Sequence, residues 1–208
     1  MKLYLSSYKL GNHTAEFKDL VGKQNAKVAV IDNALDFSED LERKRKSLES
    51  EFNDIKSLGF SPEHLDLREY FNDEDGLVNK LRDFDVVWVR GGNAFILMKA
   101  MKQSGFDKVI EKLIKTNKLV YSGYSAALCV ISPTLDGVEL VDDVNAKATG
   151  YKDEVILDGY ELIDFYPIVH YKSDHPESEL VEKELEYVKS KGRAYKTLQD
   201  GEVYIVNN

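Results

Sequence analysis

The chain has one cysteine, Cys129, and four histidines among its 208 residues. A single thiol cannot close an internal disulfide or build a cysteine-rich zinc site, and four imidazoles leave little for a histidine metal centre. Basic excess is absent too. Lys and Arg total 28 against 37 Asp and Glu, a formal net charge of −9, with a pI near 5.0. Such a surface repels nucleic acid and anionic membranes, so neither is an expected partner. No apolar run approaches the roughly 18 residues that would span a bilayer. Residues 1–7 are followed by no apolar h-region and no small-residue cleavage site, so the Asn12-His13-Thr14 sequon reads as chance and the expected location is the cytoplasm. No internal repeat, low-complexity segment or linker divides the sequence.

What remains is an ordinary globular composition, 43% hydrophobic and 31% charged. At this length one α/β domain over residues 1–208 is expected, large enough to bury a core without staples. Short β-type runs alternate with helical patterns. Residues 3–5, 27–32, 64–67, 85–90 and 118–122 read as strands, the second and fourth so evenly apolar that both faces must be buried. Helices are expected over residues 14–21, 38–58 (Ser38 as cap, Gly59 as stop), 73–81, 94–103, 106–115 and 177–189. The Arg43-Lys44-Arg45-Lys46 run reads as a solvated helix face among acids rather than as a phosphate site. Residues 155–157 and 166–169 are further β-type runs, and residues 193–198 and 203–206 flank Asp200-Gly201 as a C-terminal β-hairpin. The expected fold is therefore α/β, a three-layer sandwich whose mostly parallel sheet carries helices on both faces. Such sheets bind ligands beyond the carboxyl ends of their strands.

Two loops fall there. In Val120-Tyr121-Ser122-Gly123-Tyr124-Ser125-Ala126-Ala127 an apolar strand meets a small-residue helix start through Gly-x-Ser. Two readings stand: Ser125 as an ordinary helix N-cap, or Ser125 as a nucleophile raised on a strand-to-helix elbow. In Arg90-Gly91-Gly92-Asn93-Ala94-Phe95 paired glycines open a helix, either as a tight turn or as backbone N–H donors close to a ligand. Neither loop is a dinucleotide or Walker fingerprint, so nucleotide binding has no motif behind it. A hydroxyl beside oriented N–H groups is what acyl transfer needs, and His170, ending an apolar run, reads either as a satisfied structural histidine or as the base. Cys129 reads as a small buried hydrophobe.

Together, Gly91-Gly92-Asn93-Ala94-Phe95, Gly123-Tyr124-Ser125-Ala126-Ala127 and Val169-His170-Tyr171 resemble, in order and spacing, the aspartyl dipeptidase (dipeptidase E) family of serine peptidases, whose relatives include cyanophycinases. The resemblance implies a class I glutamine-amidotransferase-like fold with serine in place of cysteine at the elbow. By the same match Ser125 is the nucleophile, His170 the base, and the Gly92 and Ala126 N–H groups the oxyanion hole. Leu198-Gln199-Asp200-Gly201 matches the family's third, acidic element, so Asp200 is the expected partner of His170, with Glu202, Asp174 and Asp136 as rivals. Asn93, Tyr124, Lys172 and His175 are the expected substrate contacts; the last two are the positive groups available to a substrate carboxylate downstream of His170. Two positions depart from the family pattern. Ala127 replaces the elbow's second glycine, bringing a methyl near the Gly91-Gly92 loop, and Pro167 precedes His170 by three residues instead of one. The implied activity is hydrolysis of small peptides, with an amidase, a cyanophycinase-like hydrolase or a silent binding protein as alternatives. The implied chemistry requires no metal or organic cofactor, and the expected partner is a small peptide.

Overall fold

Six strands form the central sheet of the structure, a computed structural model describing residues 1–116 and 118–208, in the order β3-β2-β4-β5-β1-β8. They are β1 (Lys2–Ser6), β2 (Lys27–Ile31), β3 (Ser61–His64), β4 (Val86–Val89), β5 (Val120–Tyr124) and β8 (Val203–Asn207). All neighbours run parallel except β8, which lies antiparallel on β1 at the sheet edge. The helices are α1 (Thr14–Val21), α2 (Leu41–Ser57), α3 (Glu74–Leu81), α4 (Ala94–Ser104), α5 (Phe106–Lys115), α6 (Ala126–Cys129) and α7 (Ser178–Ser190).

Strand alternation sorts the core into two halves. Leu3, Leu5, Ala29, Ile31, Val87, Val89 and Tyr121 face one way, packing with Leu77 of α3, Phe95 of α4 and Ile110 of α5. Tyr4, Val28, Val30, Val86, Trp88 and Tyr124 face the other, against Phe17 of α1 and Ile55 of α2. Helices thus cover both sides, which gives the three expected layers and explains why β2 and β4 are uniformly apolar. No helix among the described residues is long and apolar enough to cross a membrane.

The structure shifts several elements. Helix α2 starts at Leu41 because Asp40, not Ser38, caps it: the Asp40 carboxylate accepts the Arg43 N–H at 2.9 Å. The third strand ends at His64, where it pairs with Val30, and Asp66 then caps a 3₁₀ turn over Leu67–Tyr70. Pro62 is tolerated because β3 is an edge strand. Residues 155–157 form no strand; Val155 is exposed, and only an isolated bridge joins Thr134 to Asp158.

The last two strands flank the Asp200-Gly201 turn as expected but do not pair with each other. The seventh, β7 (Tyr195–Thr197), lies parallel to β6 (Tyr166–Ile168) in a separate two-stranded sheet, while β8 joins β1. Burial decides this, because β6 is buried and β8 covers the outer edge of a buried β1. The chain between the two strands consequently crosses from the small sheet to the large one at Asp200.

Candidate active site

The carboxyl ends of β4, β5 and β1 meet at one edge, and the two chemical loops leave from there. Ser125 follows β5 directly and precedes α6, with φ 53 and ψ −112. A serine with positive φ is strained, and that conformation turns its side chain off the strand line. Crowding at the elbow is severe. A Cβ on Gly123 would lie 2.2 Å from the Val89 carbonyl oxygen and 2.7 Å from the Ala127 methyl. Only glycine fits there. The Ala127 methyl therefore faces Gly123, and the atoms nearest to Gly91 and Gly92 belong to Ser125, Tyr124 and Ala34 instead. Gly92 itself has φ 146 and sits against the Ala34 carbonyl, while Gly91 is the glycine packed on the elbow, where an added Cβ would lie 2.8 Å from the Ser125 Cβ.

Ser125, Gly92 and His170 line one cavity of about 380 Å³. The Ser125 hydroxyl makes no capping bond to the helix behind it, which argues against the plain N-cap reading. Ala126, whose N–H is the second expected oxyanion donor, is buried as the first residue of α6.

His170 arrives by a different route. It lies two residues beyond β6, also at positive φ (56), and is buried. Asp200 lies three residues beyond β7, so the parallel pairing of those strands sets the two side by side. Their contact is Nδ1 to Oδ1 at 2.7 Å. A carboxylate only accepts, so Nδ1 carries the proton and Nε2 keeps its lone pair for the cavity. The imidazole pKa is lowered from its usual value: burial dominates, Asp200 opposes it, and neighbouring His175 adds to it. His175 stacks flat on His170, with ring centroids 3.8 Å apart and planes at 7°, and Tyr8 meets both rings edge-on.

Ser7, one residue past β1, ties the two arms together. Its hydroxyl accepts the His170 N–H at 2.8 Å, and its proton faces Asp200 Oδ1 (3.0 Å) and the Leu198 carbonyl (3.1 Å). The Ser173 hydroxyl accepts the Asp200 N–H at 2.8 Å. The rival acids lie elsewhere: Asp136 is held by Arg193 and Tyr187, Glu202 accepts the Gln199 N–H within the turn, and Asp174 is exposed.

The expected substrate contacts divide. His175 lines the cavity with a ring face. Asn93 and Tyr124 line it too, but their polar atoms are spent: Asn93 caps α4 through Ile96 N–H and donates to the Asp143 carbonyl, and the Tyr124 hydroxyl donates to Glu51. Lys172 lies apart. It is exposed, its ammonium lies over the Tyr171 ring, and it is not part of the cavity wall.

Sequence reasoning missed Ser7, Glu51 and Asp142. Ser6 pairs in register with Tyr124, so Ser7 stands beside Ser125 at the sheet edge, a register that no local sequence signal reveals. Glu51 is fully buried under the elbow and accepts from Tyr124 (2.8 Å), Trp88 (2.8 Å) and Lys9 (2.7 Å). Asp142 lines the cavity and accepts the Ala94 N–H at 2.7 Å, and burial pushes its carboxyl up to about 7. Cys129 is buried, and burial raises its thiol well above the ordinary range, the opposite of an activated nucleophile.

A strained serine between a parallel strand and a helix, sharing a cavity with a buried histidine at a sheet edge, is the arrangement of an α/β serine hydrolase. The chain belongs to peptidase family S51, whose model matches residues 5–208. The uncharacterized peptidase Lmo0363 of Listeria monocytogenes is 32% identical over 141 residues, 68% of this chain and 65% of that protein, just under two thirds of its length. An uncharacterized peptidase of Pasteurella multocida, PM1590, is 30% identical over 46% of this chain and 44% of its own. A 1.5 Å crystal structure assigned provisionally to peptidase E of Listeria monocytogenes EGD-e superimposes with TM-score 0.76 at 25% identity, covering 100% of this chain and 98% of that one. A peptidase from an acI-B1 actinobacterium shares the fold at TM-score 0.59 and 16% identity, over 88% of this chain and 74% of that one.

Proposed function

We propose that the protein hydrolyses small peptides, dipeptides above all, through Ser125, His170 and Asp200. The observation that carries this reading is one cavity that holds both the strained Ser125 and a buried His170 bonded through Nδ1 to Asp200. Ser125 Oγ attacks the scissile carbonyl carbon and gives its proton to His170 Nε2. The resulting oxyanion takes hydrogen bonds from the Gly92 and Ala126 N–H groups. Collapse breaks the C–N bond, His170 returns the proton to the leaving amine, and an acyl-enzyme remains. Water, deprotonated by the same imidazole, releases the acid. Asp200 holds the productive tautomer and offsets the charge of the imidazolium. Every step draws on protein groups, so the reaction calls for no cofactor.

A cavity of about 380 Å³ suits a ligand of two amino acids better than a folded chain. Asn93 and Tyr124 shape its wall while His175 offers an aromatic face. The reading includes a single cytoplasmic domain whose partner is the peptide itself, an N-terminal Asp dipeptide being the first substrate to try.

The test is turnover on a panel of Asp-X dipeptides, other dipeptides and Asn or Gln amides, with Ser125→Ala as control. Ser125→Ala is expected to lose about 10⁶ in kcat. Equal turnover by that variant and its parent would sink the assignment.

A further inference from the structure

We infer that Arg43 is the carboxylate anchor of the cavity, a specificity residue on α2 rather than on the segment after His170. The inference deepens the peptidase reading and rests on it for the identity of the ligand. It starts from the run Arg43-Lys44-Arg45-Lys46. Three of these cations have partners: Lys44 with Asp36 at 2.7 Å, Lys46 with Glu42 at 2.7 Å, and Arg45 with Glu49. Among the described residues the Arg43 guanidinium has no ion pair or hydrogen bond, and it is the member of the run that lines the cavity.

The other arginine of the wall is spent. Arg90 donates through Nε to the Ser47 hydroxyl at 2.6 Å and through a terminal nitrogen to the Gly91 carbonyl, which fixes the glycine loop. His170 is committed to Asp200. The remaining acids on the wall, Asp142, Asp143 and Glu177, offer a carboxylate no positive partner. His175 accepts the Glu177 N–H through Nδ1 at 3.3 Å and has the Glu177 carboxylate 3.7 Å away, so a ligand carboxylate entering this space meets one guanidinium without a partner. Guanidinium suits the task, since its planar fork can take both carboxylate oxygens. Phe37, on the β2–α2 connection and 44% exposed, adds an aromatic face to the same cavity.

A peptide offers two sources of this chemistry, an acidic side chain or the free C-terminal carboxylate. The experiment measures binding of Asp-Leu, Asn-Leu and Asp-Leu amide by calorimetry to full-length Ser125→Ala, and then to Ser125→Ala carrying Arg43→Gln. One of the two altered ligands should bind Ser125→Ala about fivefold more weakly than Asp-Leu, and Arg43→Gln should erase that difference. Weakening in the Asn-Leu arm assigns the side chain, and weakening in the amide arm assigns the terminus. If all three ligands bind Ser125→Ala alike, or the difference survives Arg43→Gln, the anchor is not Arg43. Turnover by the parent protein is scored separately. Discriminating binding without hydrolysis would leave the anchor standing and remove the peptidase reading, whereas hydrolysis with no carboxylate preference would do the reverse.

Discussion

The two halves of the proposed site, nucleophile and base, are built by opposite means. The nucleophile half is local: β5, Gly123, Ser125 and α6 follow one another within ten residues of chain, residues 120–129. Its geometry is imposed by backbone crowding, and its key glycines have no alternative. The base half is remote. His170 and Asp200 meet because β6 and β7 pair, because α7 joins them, and because Ser7 from the first strand holds both. Steric necessity fixes the first half. A polar network fixes the second, so the loss of one member is felt by the others.

Asp200→Asn should show the largest effect on this contrast. Without an obligate acceptor for Nδ1–H the wrong tautomer becomes available, and kcat should fall by about 10⁴ with the fold intact. The pH profile gives a second readout. The base must be neutral, and burial already lowers its pKa, so parent activity should rise with pH along an acid limb whose midpoint lies under the usual histidine value. Asp200 favours the imidazolium, so its removal should move that limb lower still. An upward move would contradict the electrostatics. Gly123→Ala probes the other half. With a backbone oxygen 2.2 Å from the new Cβ and φ at 156, it should cost about 3 kcal/mol of stability, read as a shift in the denaturant midpoint. Mild destabilisation with full activity would mean that the elbow is not sterically determined. Ser7→Ala should be the gentlest. It removes one acceptor and one donor from the base half, so kcat should fall about tenfold at nearly unchanged KM. A change confined to stability would demote Ser7 to packing.

Legibility followed the same division. The buried strands 27–31 and 86–89 and the helices 14–21 and 106–115 were readable because hydrophobic period and caps are local signals. The glycine pair and Gly-x-Ser were readable because sterics leave so few residues able to sit there. The base half resisted. Asp200-Gly201 has the signature of a hairpin, and nothing local reveals that the strand before it pairs with β6 while the strand after it pairs with β1. Ser7 ended an unremarkable apolar run. Glu51, one of many acids on a charged helix, carries nothing local to show that Tyr124, Trp88 and Lys9 surround it. In the basic run beginning at Arg43 the solvated-face reading holds for Arg43, Arg45 and Lys46, which are exposed, but not for Lys44, whose side chain is 16% exposed, and only packing sets Arg43 against a cavity.

By itself, then, the sequence determined which segments are strands and helices, and where the backbone must bend so tightly that only glycine and a strained serine fit. These are choices made within a few bonds. Which histidine shares a cavity with that serine, which acid that histidine bonds and which arginine is left without a partner were decided by the tertiary structure, because each depends on groups brought together across long stretches of chain.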